Sequence, residues 1–278
     1  MNRFVRAVCL LLVVALLSMR AVAADEPLPI FDAHLHYNWE PDPRLPLPEV
    51  LALFRRAGVR GILANSRPND GTRALVSAGA EGLAVVPFLR PYRHRTDVQT
   101  WFDDPTIPPF IAREFPRARY AGIGEFHVFG RGATTEVVHE VVAFAVGHGL
   151  ALFAHCDIEA LDHLLAQAPG TRILWAHTGF GAPIAAVAER LRRHPMLRAE
   201  LSYRSGITDA SGHLTTEWRD LFLAFPDRFV IGSDTWIDAR WDDYLEIIAV
   251  YRGWLAQLPT PIAEAIAYRN AEAFLCIR

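Results

Sequence analysis

Eight short apolar runs alternate with helical patterns along this chain, and that alternation is what most restricts its fold. The runs predict strands at residues 30–36, 59–65, 83–89, 120–126, 150–154, 172–176, 197–203 and 229–231. Between them, apolar residues recur at helical spacing, as at Val137, Val141, Val142 and Ala145. Strands that alternate with helices in this way are parallel and are joined by right-handed crossovers.

Eight such repeats in about 255 residues close best as a single-domain α/β fold, the (β/α)8 or TIM barrel. An open, doubly wound sheet is the alternative. The chain has no Gly-rich phosphate-binding loop of the kind that accompanies such a sheet. The sequence shows neither a linker nor a second domain.

The first 23 residues have the pattern of a secretory signal peptide. Arg3 and Arg6 precede an apolar run at residues 7–17, and Ala21-Val22-Ala23 forms a small-residue cleavage site. We therefore expect a mature barrel of residues 24–278 that is periplasmic or secreted and has no membrane contact after cleavage. An uncleaved N-terminal anchor is the alternative.

The net charge and the basic residues of the chain limit the classes of ligand it can bind and of reaction it can catalyse. Removing residues 1–23 takes away three arginines and no acidic residue, so the formal net charge falls from −3 to −6. This charge argues against nucleic acid as the main ligand and favours a small-molecule substrate, while the oligomeric state stays open. All 28 basic residues are arginine, which excludes lysine Schiff-base chemistry and a metal pair bridged by a carboxylated lysine. Cys156 and Cys276 lie in different contexts, and we expect both to be free and buried.

Residues of metal-ligand type stand at the ends of five predicted strands. His34 and His36 end the first run at a spacing of two residues, which places both imidazoles on one face of a strand. The other four strand ends carry Glu125, His155, His177 and Asp234. The carboxyl ends of barrel strands surround one mouth, so these side chains converge there. The pattern predicts a site for one or two divalent ions; zinc fits a His-rich set without cysteine, and manganese or another divalent ion is the alternative.

The order of these residues resembles the amidohydrolase superfamily of metal-dependent hydrolases, in its amidohydrolase-related branch. The resemblance covers the mature chain: His-x-His on strand 1, histidines on strands 5 and 6, and aspartate on strand 8. Residues 267–274 also resemble the closing helix of that branch. The resemblance implies that His34, His36 and Asp234 bind one metal ion, and that Asp234 takes a proton from the nucleophilic water.

The resemblance leaves two arrangements of the remaining residues open. In a mononuclear, decarboxylase-like arrangement, His155 is a metal ligand and His177 orients or deprotonates water. In a binuclear arrangement, His155 and His177 hold a second ion and Glu125 bridges the pair. Gly124-Glu125 resembles the strand-4 Gly-Glu of the TatD-like metal-dependent nucleases, although the residues after it differ from the usual Gly-Leu-Asp of that family.

Several polar and aromatic residues have both a functional and a structural interpretation. The candidates for substrate binding follow strands 3, 7 and 8 and are Arg90, Tyr92, Arg204 and Trp236. Guanidinium groups match carboxylates, and aromatic rings suit an apolar body; rim ion pairs and packing are the alternative. Glu125 could instead pair with an arginine such as Arg90. His127 faces either the pocket or the loop, and Asp32 is expected to be a buried hydrogen-bonding acid.

Together the residues and the resemblance predict an exported metal-dependent hydrolase that cleaves an amide, lactone or ester of a small molecule. Asp234 and His177 are the candidates for moving the proton from water to the leaving group. A metal-dependent decarboxylase of the same superfamily is the first alternative. A non-catalytic periplasmic binding protein on the same barrel is the second.

Overall fold

The computed structural model describes residues 27–40 and 42–277. The predicted signal peptide at residues 1–23 lies outside the described residues. Within the part of the chain that is described, no helix has both the length and the apolar character needed to cross a membrane.

Eight parallel strands form a nearly closed barrel, in which each strand pairs with the next one along the chain. The strands are β1 (Ile30–Leu35), β2 (Val59–Ala64), β3 (Ala84–Leu89), β4 (Gly122–Val128), β5 (Ala151–Cys156), β6 (Ile173–Trp175), β7 (Leu197–Glu200) and β8 (Phe229–Val230). Backbone hydrogen bonds from Ala33 N to Ile231 O and from Asp234 N to His34 O, at 2.8 and 2.6 Å, join β1 to the segment after β8. The predicted (β/α)8 barrel is confirmed.

Helices fill the connections between the strands. They are α1 (Leu47–Ala57), α2 (Asn69–Ala78), α3 (Asp97–Thr100), α4 (Ile107–Glu114), α5 (Glu136–Gly147), α6 (Ile158–Gln167), α7 (Ile184–Arg193), α8 (Thr216–Ala224), α9 (Asp238–Asp242), α10 (Tyr244–Leu255), α11 (Thr260–Glu264) and α12 (Asn270–Leu275). A π-helical turn, Ala265–Arg269, joins the last two. Local signals set several ends: α1 stops at the left-handed Gly58, and the Asp157 carboxylate caps α6 by accepting from Ala160 N at 2.8 Å.

Three strands end two or more residues away from their predicted bounds near the mouth: β4, β7 and β5, which runs to Cys156 rather than to residue 154. β4 runs to Val128, two residues further than predicted, so His127 belongs to the strand. β7 ends at Glu200 rather than at residue 203. The chain turns there because Tyr203 has a left-handed backbone, with φ 51°, that an extended strand does not accommodate.

The barrel has two apolar layers, which fix the position of the mouth. An inner layer fills the lower half of the barrel and includes Phe31, Phe88 and Phe153, all fully buried. Phe274 and Leu275 of α12 belong to the same layer, so the last helix forms its floor. Burial of each phenylalanine contributes about 1.5–3 kcal/mol. The larger outer layer lies between strands and helices, so the polar residues are left at the upper end.

Cys156 and Cys276 have different environments. Both are free, as predicted, and Cys156 on β5 is buried. Cys276 is exposed, so the prediction that it is buried was wrong. The residue follows α12 in a left-handed conformation, with φ 58°.

Candidate metal centre

Four donor atoms from three strand ends form a compact group at the barrel mouth. His34 Nε2 and His36 Nε2 lie 3.1 Å apart. Asp234 Oδ1 lies 3.4 and 3.0 Å from these two nitrogens, and Glu125 Oε2 lies 3.5 and 3.4 Å from them. Donors at the usual zinc distances on a tetrahedron are about 3.3 Å apart. The group, called cluster 1 here, therefore fits a small divalent ion.

Hydrogen bonds behind cluster 1 determine which imidazole nitrogen faces inward. His34 Nδ1 donates to Glu200 Oε2 at 3.0 Å, and His36 Nδ1 donates to the Asn65 carbonyl at 2.6 Å. Each bond holds the proton on Nδ1 and leaves the Nε2 lone pair free for a metal ion. Both histidines are fully buried, and the His34 ring packs on Phe153 of the inner layer at 4.6 Å between centroids.

A second group of donors lies beside the first and shares Glu125 with it. Glu125 Oε1 lies 2.9 Å from His155 Nδ1 and 3.6 Å from His177 Nε2, and these two nitrogens are 3.3 Å apart. His177 Nδ1 donates to the Ser202 carbonyl at 2.9 Å, which again leaves Nε2 free. Because Oε2 faces cluster 1 and Oε1 faces this cluster 2, one carboxylate joins two candidate metal sites.

Three residues at or beside the clusters have unusual backbone conformations. Gly124, directly before Glu125, has φ 131°, and a Cβ atom there would lie 2.2 Å from the Phe153 carbonyl oxygen. Only glycine permits this approach of β4 to β5. His177 and Asp234 have left-handed backbones, with φ 54° and 48°, a conformation that costs non-glycine residues about 1 kcal/mol or more. Strained residues of this kind concentrate at functional sites.

The electrostatics of cluster 1 favour a bound cation. Burial lowers the pKa of His34, but the carboxylates of Asp234, Glu125 and Glu200 outweigh it and raise that pKa well above its ordinary value. Burial raises the pKa of Glu125, yet His34, with hydrogen bonds from His155 and His177, leaves it well below the usual range. Burial likewise opposes the lowering of the Asp234 pKa, which is caused by His34 and His36. Three buried carboxylates thus create a negative field that a divalent ion neutralises.

Arg90 is a buried partner of Glu125. Its Nη2 donates to Glu125 Oε2 at 2.9 Å and its Nε donates to the Glu125 carbonyl at 3.2 Å. The guanidinium also lies at the wall of the mouth cavity. Both interpretations of Glu125 therefore hold together: it pairs with Arg90 and it faces both clusters.

A cavity of about 630 Å³ opens above the two clusters. Its walls include Glu125, His155, His177 and Asp234, and also Arg67, Arg90, Arg95, Thr96, Val98, Gln99, His127, Phe180, Tyr203 and Trp236. His127 therefore faces the pocket rather than the loop. Of the four predicted substrate-binding residues, Arg90 and Trp236 line this cavity.

Tyr92 and Arg204 lie elsewhere. Tyr92 is fully buried behind His127, to which its hydroxyl is hydrogen-bonded. Arg204 turns away from the mouth: its Nη2 donates to the Ala182 carbonyl at 2.5 Å and its guanidinium lies over the Trp218 ring. It lines a separate cavity of about 430 Å³. The geometry thus gives these two residues no direct access to the mouth cavity.

Glu200 and Asn65, whose side chains support the clusters, were not predicted from the sequence. Glu200 is fully buried at the end of β7 and contacts His34 and the backbone N of His177, at 3.0 and 3.1 Å. Asn65 accepts from His36 through its carbonyl and from Glu125 N through its side chain. A lone acid within an apolar strand was the available signal for Glu200. Asp32 is a buried hydrogen-bonding acid, as predicted, and accepts from Ser233 N and the Tyr244 hydroxyl.

The comparisons with known proteins agree with this geometry. The family model for amidohydrolases matches residues 31–277. An amidohydrolase from Burkholderia multivorans with bound zinc is 15% identical, with 90% of this chain and 99% of that chain covered and a TM-score of 0.60. A Pseudomonas putida protein described as a 2-pyrone-4,6-dicarboxylic acid hydrolase is 15% identical, with coverage of 90% and 98% and a TM-score of 0.63. A TatD homologue from Escherichia coli K12 is 16% identical, with the same coverage and a TM-score of 0.57. No curated protein matches this chain significantly.

The barrel gathers imidazole and carboxylate groups at its mouth, and together with the family match this supports an enzyme of the amidohydrolase superfamily. The family match extends over most of the sequence, and the chain belongs to the amidohydrolase family. The family predicted from the strand-end residues is therefore confirmed. The structural likenesses, at 15–16% identity, add that the fold is shared.

Proposed function

We propose that this protein is a metal-dependent hydrolase that uses two divalent ions, with zinc as the best fit to the donors. Cluster 1 (His34, His36, Asp234 and Glu125) would hold one ion, and cluster 2 (Glu125, His155 and His177) the other. The observation that carries the proposal is that the two oxygens of Glu125 face different clusters. A carboxylate can bridge a metal pair through its two oxygens, and this chain has no lysine to supply a carbamate bridge instead.

The residues of the chain supply the remaining parts of a hydrolytic mechanism. Bound divalent ions lower the pKa of water towards neutrality and polarise the carbonyl group that is attacked. The lowered pKa of Asp234, which burial opposes and His34 and His36 cause, keeps its carboxylate ionised at neutral pH. Asp234 can therefore accept a proton from the attacking water and return it to the leaving group. Its Oδ2 faces cluster 2, 3.9 Å from His177 Nε2, so the carboxylate spans both clusters.

The walls of the mouth cavity support a small carbonyl substrate with an anionic group and an apolar body. Arg67 and Arg95 line one part, and both contact Glu40. Aromatic side chains line another part, where Trp236 Nε1 donates to the Tyr203 hydroxyl at 3.0 Å. Guanidinium groups bind carboxylates and rings pack on apolar groups. An amide, lactone or ester with both features is the substrate class proposed.

Metal content is the test of this proposal. Elemental analysis of protein purified without chelator and reloaded with zinc should give two ions per chain. Glu125→Gln should retain one or none, whereas Glu140→Gln, which changes an exposed carboxylate on α5, should retain two. One ion in the wild type that persists in Glu125→Gln would contradict the bridged pair and favour the mononuclear, decarboxylase-like arrangement.

Activity is tested with the zinc-loaded protein on a panel of amides, lactones and esters, with and without a carboxylate. Hydrolysis that depends on zinc supports the proposal. Release of carbon dioxide from aromatic carboxylates without hydrolysis would indicate the decarboxylase instead. Tight binding of panel compounds without turnover would indicate a binding protein.

We also propose that the chain is exported, because its first residues have the pattern of a signal peptide. Cells that express the full chain should release from the periplasm, or into the medium, a form that begins at Ala24. A cytoplasmic protein that keeps residues 1–23 would contradict export and leave the hydrolase proposal unaffected.

A further inference from the structure

His127 and Tyr92 form a doubly hydrogen-bonded pair beside cluster 2. The backbone N of His127 donates to the Tyr92 hydroxyl at 2.7 Å, and the same hydroxyl lies 3.0 Å from His127 Nδ1. Tyr92 is fully buried, whereas His127 is partly exposed at the cavity wall. The pair has no part in holding the clusters described above.

The position of the hydrogen atoms follows from the partners of the Tyr92 oxygen. That oxygen already accepts from the backbone N of His127, so its own hydrogen needs an acceptor. Among the described residues, the acceptor within hydrogen-bond distance of the hydroxyl is His127 Nδ1. Nδ1 therefore accepts, and the proton of the imidazole is on Nε2.

Distance alone would allow His127 to be a further metal ligand. One of its nitrogens lies within 4.8 Å of donor atoms of Glu125 and His155. A nitrogen that carries a proton has no lone pair for a metal ion, and Nδ1 is occupied by Tyr92. The hydrogen-bond pattern thus opposes ligation and leaves an N–H group at the cavity side of the ring.

The His127 ring is held in a fixed orientation. Trp101 Nε1 donates to the His127 carbonyl at 2.6 Å, and Trp101 is itself fully buried. The ring lies against the His155 ring, with 4.0 Å between centroids and 31° between planes. A donor fixed in this way beside cluster 2 meets the requirement for stabilising charge on a substrate oxygen without reorganisation.

We propose that His127 donates a hydrogen bond from Nε2 to a carbonyl or carboxylate oxygen of the substrate, and that Tyr92 is the positioning residue that fixes this tautomer. The substrate contact rests on the proposed hydrolase function, whereas the tautomer does not. No proton is transferred in this role: the N–H group contacts the oxygen and remains on His127.

The tautomer is measured directly by long-range ¹H–¹⁵N correlation spectra of the zinc-loaded, ¹⁵N-labelled protein, with His127→Gln used to assign the signals. We expect an imidazole protonated at Nε2 with an accepting Nδ1. Tyr92→Phe should abolish this single state, and Tyr244→Phe, which removes another buried hydroxyl hydrogen-bonded to a side chain, should preserve it. A proton on Nδ1 in the wild type, or an unchanged state in Tyr92→Phe, would overturn the inference.

Metal content and kinetics separate a donor from a ligand. His127→Ala should keep the wild-type zinc content while kcat falls about 100-fold, and His127→Gln, which retains an N–H donor, should recover about 10-fold of that loss. Loss of one zinc ion in His127→Ala would make the residue a ligand and overturn the proposal. If the spectra show the expected tautomer but no panel compound is hydrolysed, the proposed function fails and the tautomer stands.

Discussion

The two clusters at the barrel mouth share Glu125 but are built differently. In cluster 1, the side chains of His34 and His36 are 0% exposed, and the outer nitrogen of each imidazole donates to a buried oxygen. In cluster 2, the His155 side chain is 14% exposed. Among the described residues, no hydrogen bond fixes the Nε2 atom of His155. Cluster 1 is therefore the more rigid of the two, and cluster 2 is the one that opens to the cavity.

This difference indicates that the two clusters would have different roles in the proposed site. A buried set of four donors with supported imidazoles suits tight, permanent binding of an ion. A set of three donors at the cavity wall leaves room for a substrate oxygen, as catalytic metal sites require. Chemistry would then depend on both clusters, and stability mainly on the first.

We expect the largest effect from Asp234→Asn, because it removes the proposed proton acceptor of cluster 1. We expect kcat on the fastest panel substrate to fall about 1,000-fold. Asp220→Asn, an exposed change on α8, is the control and should leave kcat unchanged. A fall of less than about 10-fold would remove Asp234 from the role of proton acceptor and reduce cluster 1 to ion binding.

Chelation tests the predicted order of affinity. Titration with a zinc chelator should release the ions in two steps, with cluster 2 weaker by about 100-fold because His155 is unsupported and partly exposed. His155→Ala should show the tighter step alone, and His139→Ala, a change on the exposed face of α5, should show both. Release of both ions in a single step would contradict the distinction between the clusters.

Glu200→Gln should weaken zinc binding at cluster 1 by about 10-fold, since the variant keeps the shape but loses the charge that supports His34. The affinity of cluster 2 should change less, because Glu200 contacts His177 mainly through the backbone N. The measurement is the same chelator titration, with Glu246→Gln, an exposed carboxylate on α10, as control. Equal weakening at both clusters would mean that Glu200 acts on the whole mouth.

The pH dependence of stability gives the smallest effect and concerns the metal-free protein. Burial lowers the pKa of His34, but the carboxylates of Asp234, Glu125 and Glu200 raise it overall. The contribution of His34 to the free energy of unfolding is therefore complete below its ordinary pKa of 6.5, and it is lost at higher pH. Burial raises the pKa values of Glu125 and Asp234, but neighbouring histidines lower them overall. Their contribution to the free energy of unfolding is therefore complete above their ordinary pKa values of 4.5 and 3.8, and it is lost at lower pH. Thermal unfolding should therefore give a maximum Tm between these limits.

The alkaline loss should be on the order of 5 °C in Tm and should disappear when zinc is bound. Zinc replaces the proton as the positive charge among the carboxylates, and it requires neutral imidazoles. A metal-free protein whose Tm is constant from pH 6 to 9 would contradict this explanation.

The sequence predicted which side chains meet at the mouth, because one rule places them. Polar residues at the carboxyl ends of parallel strands meet at one mouth, and this brings His34, His36, His155 and Asp234 together without further information. Alternation within a strand also predicted that the two β1 imidazoles would be adjacent, as their 3.1 Å separation shows.

The same rule does not predict which way a side chain points, nor which backbone groups hydrogen-bond to the donor side chains. Arg204 follows β7, but the left-handed turn at Tyr203 precedes it and its guanidinium reaches carbonyl groups away from the mouth. Glu200 lies inside a predicted apolar strand, where sequence alone does not tell which neighbours it meets. Asn65 and Ser202 act through carbonyl groups, which are common to all residues and leave no side-chain signal.

The left-handed backbones of His177 and Asp234 have a consequence for protein design. A copy of the site on another barrel would need the two loop conformations as well as the donor side chains, because ordinary strand-end geometry would aim both groups elsewhere. Asparagine or glycine at neighbouring positions would ease such loops, but the donors themselves must bear the unfavourable φ values of 54° and 48°. To transfer the site, a designer would therefore have to reproduce both loop conformations, which is harder than placing the six donor side chains.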